Sequence, residues 1–299
     1  MERYKPKIEE MIDASTVKEM EDVVFSNLKA LKYLHSLGLN DEAIKNNIAK
    51  IYDFAVDMEN CKGCKGLAYC NKEPKHLVNS VSYKGGVVDR NLVPCKKYLE
   101  FANFKKRLAV YDFEEDWLNN TISTVSNIRS KAKISILSEY QKVTKKESSR
   151  WIFIKGNVAS GKSYFAATMI VESARKGDFQ SLGFMNVPSR FKELSDLAFT
   201  KNPRFDDEID KYKTVELLVL DDFGNEFKSD FVRDNILFPI ISARLKNKLP
   251  TIITSNYTID DCASMYQTTN ASKPKIEQIR QMLNLMCEKE FTLIDPSLL

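Results

Sequence analysis

The sequence predicts an α/β fold in which a helical N-terminal region precedes a five-stranded parallel sheet with helices packed on it. Three observations carry this. Trp151-Ile152-Phe153-Ile154, Leu182-Gly183-Phe184-Met185-Asn186-Val187, Leu217-Leu218-Val219-Leu220, Thr251-Ile252-Ile253-Thr254 and Phe291-Thr292-Leu293-Ile294 are short apolar runs separated by helical stretches, the pattern of strands covered on both faces. The first run passes through a glycine-bearing turn directly into a helix. Before residue 60, apolar residues recur at three- and four-residue intervals rather than alternating.

The 299 residues, 43% hydrophobic and 29% charged, hold enough apolar material for two cores and exclude disorder or fibrous repeats. A net charge of +4, from 45 Lys+Arg against 41 Asp+Glu, is too small for a surface that wraps nucleic acid, so any such contact is local. No apolar run approaches the roughly 18 residues of a membrane span, and Met1-Glu2-Arg3-Tyr4-Lys5-Pro6 does not resemble a secretion signal. The expected location is the cytoplasm, with no membrane partner. In that reducing compartment six cysteines call for a reason other than disulfides.

Thr16 and Glu19 have capping-box spacing, and Val17, Met20, Val24, Leu28 and Leu31 form one stripe before Gly38, which predicts a single helix. A second helix is expected after Asn40, with Ile44, Ile48, Ile51 and Ala55 on one face. From Asn60 to Lys106 the pattern dissolves into Gly, Pro, Asn and Cys, with ten basic residues against three acidic. Residues 112–140 again read as helix, with Trp117, Ile122, Val125 and Ile136 available to pack, and polar residues 142–150 read as a connector. The domains expected are therefore 1–106, 107–149 as helix and linker, and 150–299.

Gly156-Asn157-Val158-Ala159-Ser160-Gly161-Lys162-Ser163 matches the P-loop pattern between a strand and a helix, where its backbone N–H groups can cradle phosphates, with Tyr164 completing the contact. Lys162 would reach the β- and γ-phosphates of ATP, and the Ser163 hydroxyl would ligate Mg2+. The run 215–222 is an apolar strand ending in Asp221 and Asp222. Two charges are not buried cheaply, so they should emerge at the strand end, Asp221 beside Mg2+ and Asp222 polarising the attacking water. Thr254-Ser255-Asn256 ends the next strand, where Asn256 could hold that water. This order of motifs is that of hydrolytic AAA+ ATPases. Only five residues follow Ile294, so the helical lid common in that class is expected to be missing. Charge at the γ-phosphate would then come from a neighbouring subunit, with Lys273, Lys275 and Arg280 as candidates.

Cys61-x2-Cys64, His76 and Cys95 offer four ligands for Zn2+ in a region short of core, with Cys70 as an alternative to His76 that spacing alone does not exclude. Cys262 and Cys287 read as small core residues. Tyr69, Tyr83, Tyr98, Phe101 and Phe104 interleave with the local positive charge; a solvated face or a protein partner fits them better than direct DNA binding.

The combination resembles the bacterial primosomal helicase loaders of the DnaI and DnaC type, over nearly the whole chain. The resemblance rests on Cys61-x2-Cys64 with Cys95, on residues 156–164, on Leu220-Asp221-Asp222-Phe223-Gly224 and on Pro250-Thr251-Ile252-Ile253-Thr254-Ser255-Asn256-Tyr257. It implies that the N-terminal domain docks on the replicative hexameric DNA helicase while the ATPase domain binds ATP and single-stranded DNA, with a homo-oligomer on the helicase ring. The family's trans-acting arginine falls in a Glu/Asp-Arg-Ile/Val-Arg stretch; here that stretch is Glu277-Gln278-Ile279-Arg280, so Gln278 cannot supply the charge and Arg280 is the remaining candidate catalytic residue. Arg190, Lys192, Lys201 and Arg204 are candidates for touching DNA. The competing expectation is an IstB-like transposition helper ATPase, which shares the AAA+ core and generally lacks the upstream cysteines.

Overall fold

The computed structural model describes residues 13–125 and 129–294. The chain divides into two compact units, Met1–Ala102 and Asn103–Leu299.

In the first unit Asp13, not Thr16, caps the first helix: its carboxylate accepts the Thr16 N–H at 2.9 Å and opens α1 (Ala14–Ser26). The single helix expected up to Gly38 is broken at Asn27, which is followed by α2 (Leu28–Ser36). Asn27 causes the break, because its side chain accepts from Ala30 N–H at 3.1 Å and donates to the Ala55 carbonyl at 3.1 Å. Asn47 likewise divides the second expected helix into α3 (Asp41–Asn46) and α4 (Ile48–Asn60). Val24, Ala30, Leu34, Ile44, Ile48, Ile51 and Ala55 bury together, with Val17, Met20 and Leu31 packed against them, whereas Leu28, expected on the same stripe, is exposed. The cysteine-rich stretch contains more order than its composition suggests. An antiparallel hairpin, β1 (Leu77–Lys84) and β2 (Val87–Pro94), turns at Gly85-Gly86 and sends Val81 and Val88 into the helical core. The helix α5 (Lys96–Arg107) follows.

The second unit is built on a parallel sheet of six strands, not five, in the order β3-β5-β6-β7-β4-β8. These are β3 (Leu108–Tyr111), β4 (Trp151–Lys155), β5 (Leu182–Asn186), β6 (Leu217–Phe223), β7 (Thr251–Ser255) and β8 (Cys287–Thr292). The extra edge strand is β3, only four residues long and directly following a helix. The helix expected over 112–140 starts late for a related reason. Asp112 continues the strand pairing through its N–H to Phe184 and accepts the Asn186 N–H and the Arg190 guanidinium on its carboxylate. Two 3-10 turns, Glu115–Asn119 and Ile122–Thr124, come next, and the regular helix is α6 (Lys131–Thr144); residues 126–128 lie outside the described ones.

The helices α7 (Lys162–Lys176), α8 (Val187–Phe199), α9 (Arg204–Thr214), α10 (Phe238–Lys246), α11 (Ile259–Ser264) and α12 (Lys273–Met286) complete this unit. α7 buries Phe165, Ala166, Met169, Ile170 and Val171, which makes it the most enclosed helix motif-bearing stretch. Cys262 and Cys287 are buried in the same unit. Among the described residues no helix is long and apolar enough to cross a membrane.

Candidate nucleotide-binding site

Parallel strands present all their C-terminal ends on one edge, and open parallel sheets bind ligands there. The P-loop leaves β4, the acidic pair ends β6 and Asn256 follows β7, so the sheet alone brings the three sequence motifs to one edge.

The loop is shaped by its residues. A Cβ on Gly156 would stand 2.3 Å from the Leu293 carbonyl oxygen, so only glycine lets the chain leave β4 there. Ala159 (φ 63°) and Gly161 (φ 80°) are both left-handed, which curls the backbone so that consecutive N–H groups converge. No side chain caps Gly161 at the start of α7, leaving that helix end available to an anion. Val158 is exposed at the loop tip, and Tyr164 meets the edge of Trp117 at 5.4 Å between centroids.

Lys162 is buried, and its ammonium donates to the carbonyls of Gly156 (2.9 Å) and Asn157 (2.8 Å) and to Asn256 Oδ1 (2.9 Å). Burial pulls its pKa down, opposed by the charges of Asp222 and Asp221. Asp221 is buried too, which pushes its pKa above the ordinary value; hydrogen bonds from the Thr254 and Ser163 hydroxyls oppose that shift. The Thr254 bond is 2.6 Å long. Asp222 takes a left-handed conformation (φ 59°), and its carboxylate accepts from the Asn225 amide. The donor set suits the expected ligands: a cation over curled N–H groups for phosphates, and a carboxylate beside a serine hydroxyl for Mg2+.

Arg280 is not part of this group. Its guanidinium is held by Asp260 at 3.2 Å, by Glu277 and by the Ser264 hydroxyl at 3.0 Å. Lys275 lies over the Phe238 ring at 3.5 Å. Of the DNA candidates, Arg190 is engaged by Asp112 and Glu193, whereas Lys192 on α8, Lys201 between α8 and α9, and Arg204 at the start of α9 are exposed.

The zinc set is not assembled. Among the described residues no three His, Cys, Asp or Glu side chains stand together as a metal site. Cys61, Cys64 and Cys95 line one cavity of about 700 Å3, but the His76 Nε2 atom meets the Leu67 carbonyl at 3.0 Å and its ring stacks on Tyr98. Cys70 instead accepts the His76 backbone N–H at 3.5 Å.

In the Thr254-Ser255-Asn256 run the sequence points to Asn256, but the structure also brings Thr254 against Asp221 and Asn225 against Asp222. For Thr254 the usable signal is register: Leu220 pairs with Ile253, which sets the next residue of β7 against Asp221.

The family of IstB-like ATP binding proteins matches residues 88–276. The replicative helicase loader DnaI of Bacillus subtilis (strain 168) is 21% identical over 295 residues, covering 94% of this chain and 91% of that one. Among solved structures, one of DnaI superposes with a TM-score of 0.54 at 24% identity, over 62% of this chain and 96% of the other. A protein of Streptococcus pyogenes serotype M3 assigned as a primosome component gives 0.51 at 22%, over 64% and 95%. The similarity bears out the resemblance to DnaI- and DnaC-type proteins, and the superpositions show the shared α/β fold. With the P-loop, the acidic strand end and Asn256 gathered at one sheet edge and the family match covering well over half the residues, the chain belongs to the IstB-like ATP-binding protein family.

Proposed function

We propose that this chain is an ATP-hydrolysing loader of the replicative hexameric helicase onto single-stranded DNA during primosome assembly in the cytoplasm. The observation that carries the reading is the span of the similarity to a helicase loader, 94% of the chain, which includes the N-terminal unit as well as the nucleotide site. The IstB-like family match favours a transposition helper as the second reading. That match begins at residue 88 and leaves the helical unit upstream without a role, whereas in a loader this unit docks on the helicase.

At the site, the N–H groups of 156–164 hold the phosphates. The Lys162 ammonium exchanges its protein oxygens for β- and γ-phosphate oxygens. Ser163 and Asp221 would hold Mg2+, which would neutralise charge on the phosphates. Asp222 takes a proton from the attacking water, and Asn256, freed from Lys162, orients it. In trans, Arg280 would have to leave Asp260 and Glu277 to serve a neighbour in an oligomer on the helicase ring. ATP acts on loading through the difference in its affinity for the helicase-gripping and released states. Cys61, Cys64, His76 and Cys95 are not brought together as a metal site among the described residues, and no step is routed through zinc.

The test is a native mass measurement of the chain with a replicative helicase in ATP and in ADP, beside an ATP turnover assay with and without single-stranded DNA. A complex favoured by one nucleotide, with turnover that responds to DNA, is expected. Absence of any complex in both nucleotides overturns the loader reading.

A further inference from the structure

We propose that Thr254 is a positioning residue for the acidic pair: its hydroxyl fixes the Asp221 carboxylate and holds Asp222 turned out of the strand, so that both carboxylates serve one site. The proposal rests on the nucleotide reading above and concerns a residue with no direct part in it.

Neighbouring residues of a strand point to opposite faces, so a straight β6 would place only one of Asp221 and Asp222 beside the P-loop. The strand is not straight. Its pairing with β7 shifts between Leu220 and Phe223, and Asp222 adopts φ 59°, which residues other than glycine seldom do. Both carboxylates then act electrostatically on Lys162.

A single atom meets both consequences of the shift. Thr254 is fully buried, and its Oγ1 accepts the Asp222 N–H at 3.0 Å while donating to Asp221 Oδ1 at 2.6 Å. Serine can make the same two bonds. Valine, of nearly the same shape, can make neither, and it leaves a buried N–H and a buried carboxylate oxygen short of a partner.

The test compares Thr254→Val and Thr254→Ser with the wild-type chain in kcat, in KM for ATP and in the Mg2+ concentration for half-maximal binding of a fluorescent ATP analogue, with a thermal melt of each. Thr254→Val is expected to lose kcat by about 10- to 100-fold, the usual effect of removing a partner that orients a ligand group. It should need several-fold more Mg2+ while KM for ATP at saturating Mg2+ stays unchanged, and Thr254→Ser should restore both values. A folded Thr254→Val with wild-type kcat and Mg2+ dependence overturns the proposal, as does a Thr254→Ser that behaves like valine. If the wild type binds ATP without turning it over, the hydrolysis reading fails and the Mg2+ half-saturation alone decides Thr254 by the same comparison. Should Thr254→Val not fold, Thr254→Ala takes its place with the same readouts.

Discussion

Asp221 is a carboxylate held in a poorly solvated place, and that has a measurable effect on the free protein. Its folded-state pKa lies above the ordinary 3.8, so the unfolded chain ionises first. Its destabilising contribution is absent below pH 3.8, grows as pH rises through the window above it and is complete once the folded carboxylate ionises. Asp221→Asn is therefore expected to raise the melting temperature of the nucleotide-free protein at neutral pH, with the difference shrinking toward acid, and to remove the Mg2+ dependence of ATP binding. Lys162 is likewise a charge that burial disfavours, held by hydrogen bonds to four protein oxygens. Lys162→Ala should weaken ATP binding about 100-fold, the equivalent of ~3 kcal/mol for a charge-assisted contact, as read by isothermal titration. Asp222→Asn should keep ATP affinity and lower kcat by about 10²- to 10⁴-fold, the range for a general base. Normal turnover in that variant would remove Asp222 from the role.

At the scale of elements, the P-loop depends on its packing against the chain leaving the neighbouring strand β8 as much as on its own curl. Gly156→Ala places a methyl carbon against the Leu293 carbonyl, a backbone atom that cannot swing aside. A loss of about 1–3 kcal/mol in chemical denaturation is expected, together with weaker nucleotide binding. The elements were legible in the sequence where one rule governed them. The strands carrying Trp151, Leu182, Leu217 and Thr251 lie where their apolar runs predict, because a covered parallel strand needs little beyond such a run. The N-terminal helices break at Asn27 and Asn47, where an asparagine side chain competes with the helix for backbone groups and periodicity carries no sign of it. β3 was hidden because four residues following a helix are too few to display an alternation. The site followed the same division. Residues within one motif were readable from spacing, whereas Thr254 acquires its role only when the sheet sets β7 beside β6. His76 is bonded elsewhere than its spacing to the cysteines suggests, and Arg280, expected from the resemblance to act on a neighbouring subunit, is paired with Asp260 within its own chain.

At the scale of the whole molecule, two units with separate cores should unfold as separate events. Calorimetry of the full chain is expected to resolve two transitions, of which only one responds to nucleotide. Mg-ATP at about 100 times its Kd adds roughly 2.7 kcal/mol to the unit that binds it, about 5–10 °C for a domain of this size. A single transition that moves as a whole would mean that the units are thermodynamically coupled. Separate units suit a loader, in which one surface holds the helicase while the other changes state with ATP. The most direct measurement of that role incubates the chain with a replicative helicase and circular single-stranded DNA, with and without ATP, and counts helicase that stays on the circle through a high-salt wash. Retention that requires ATP and the wild-type chain, and that is lost with Lys162→Ala, is the expected result. Helicase retained equally without the chain, or equally with Lys162→Ala, would contradict ATP-dependent loading.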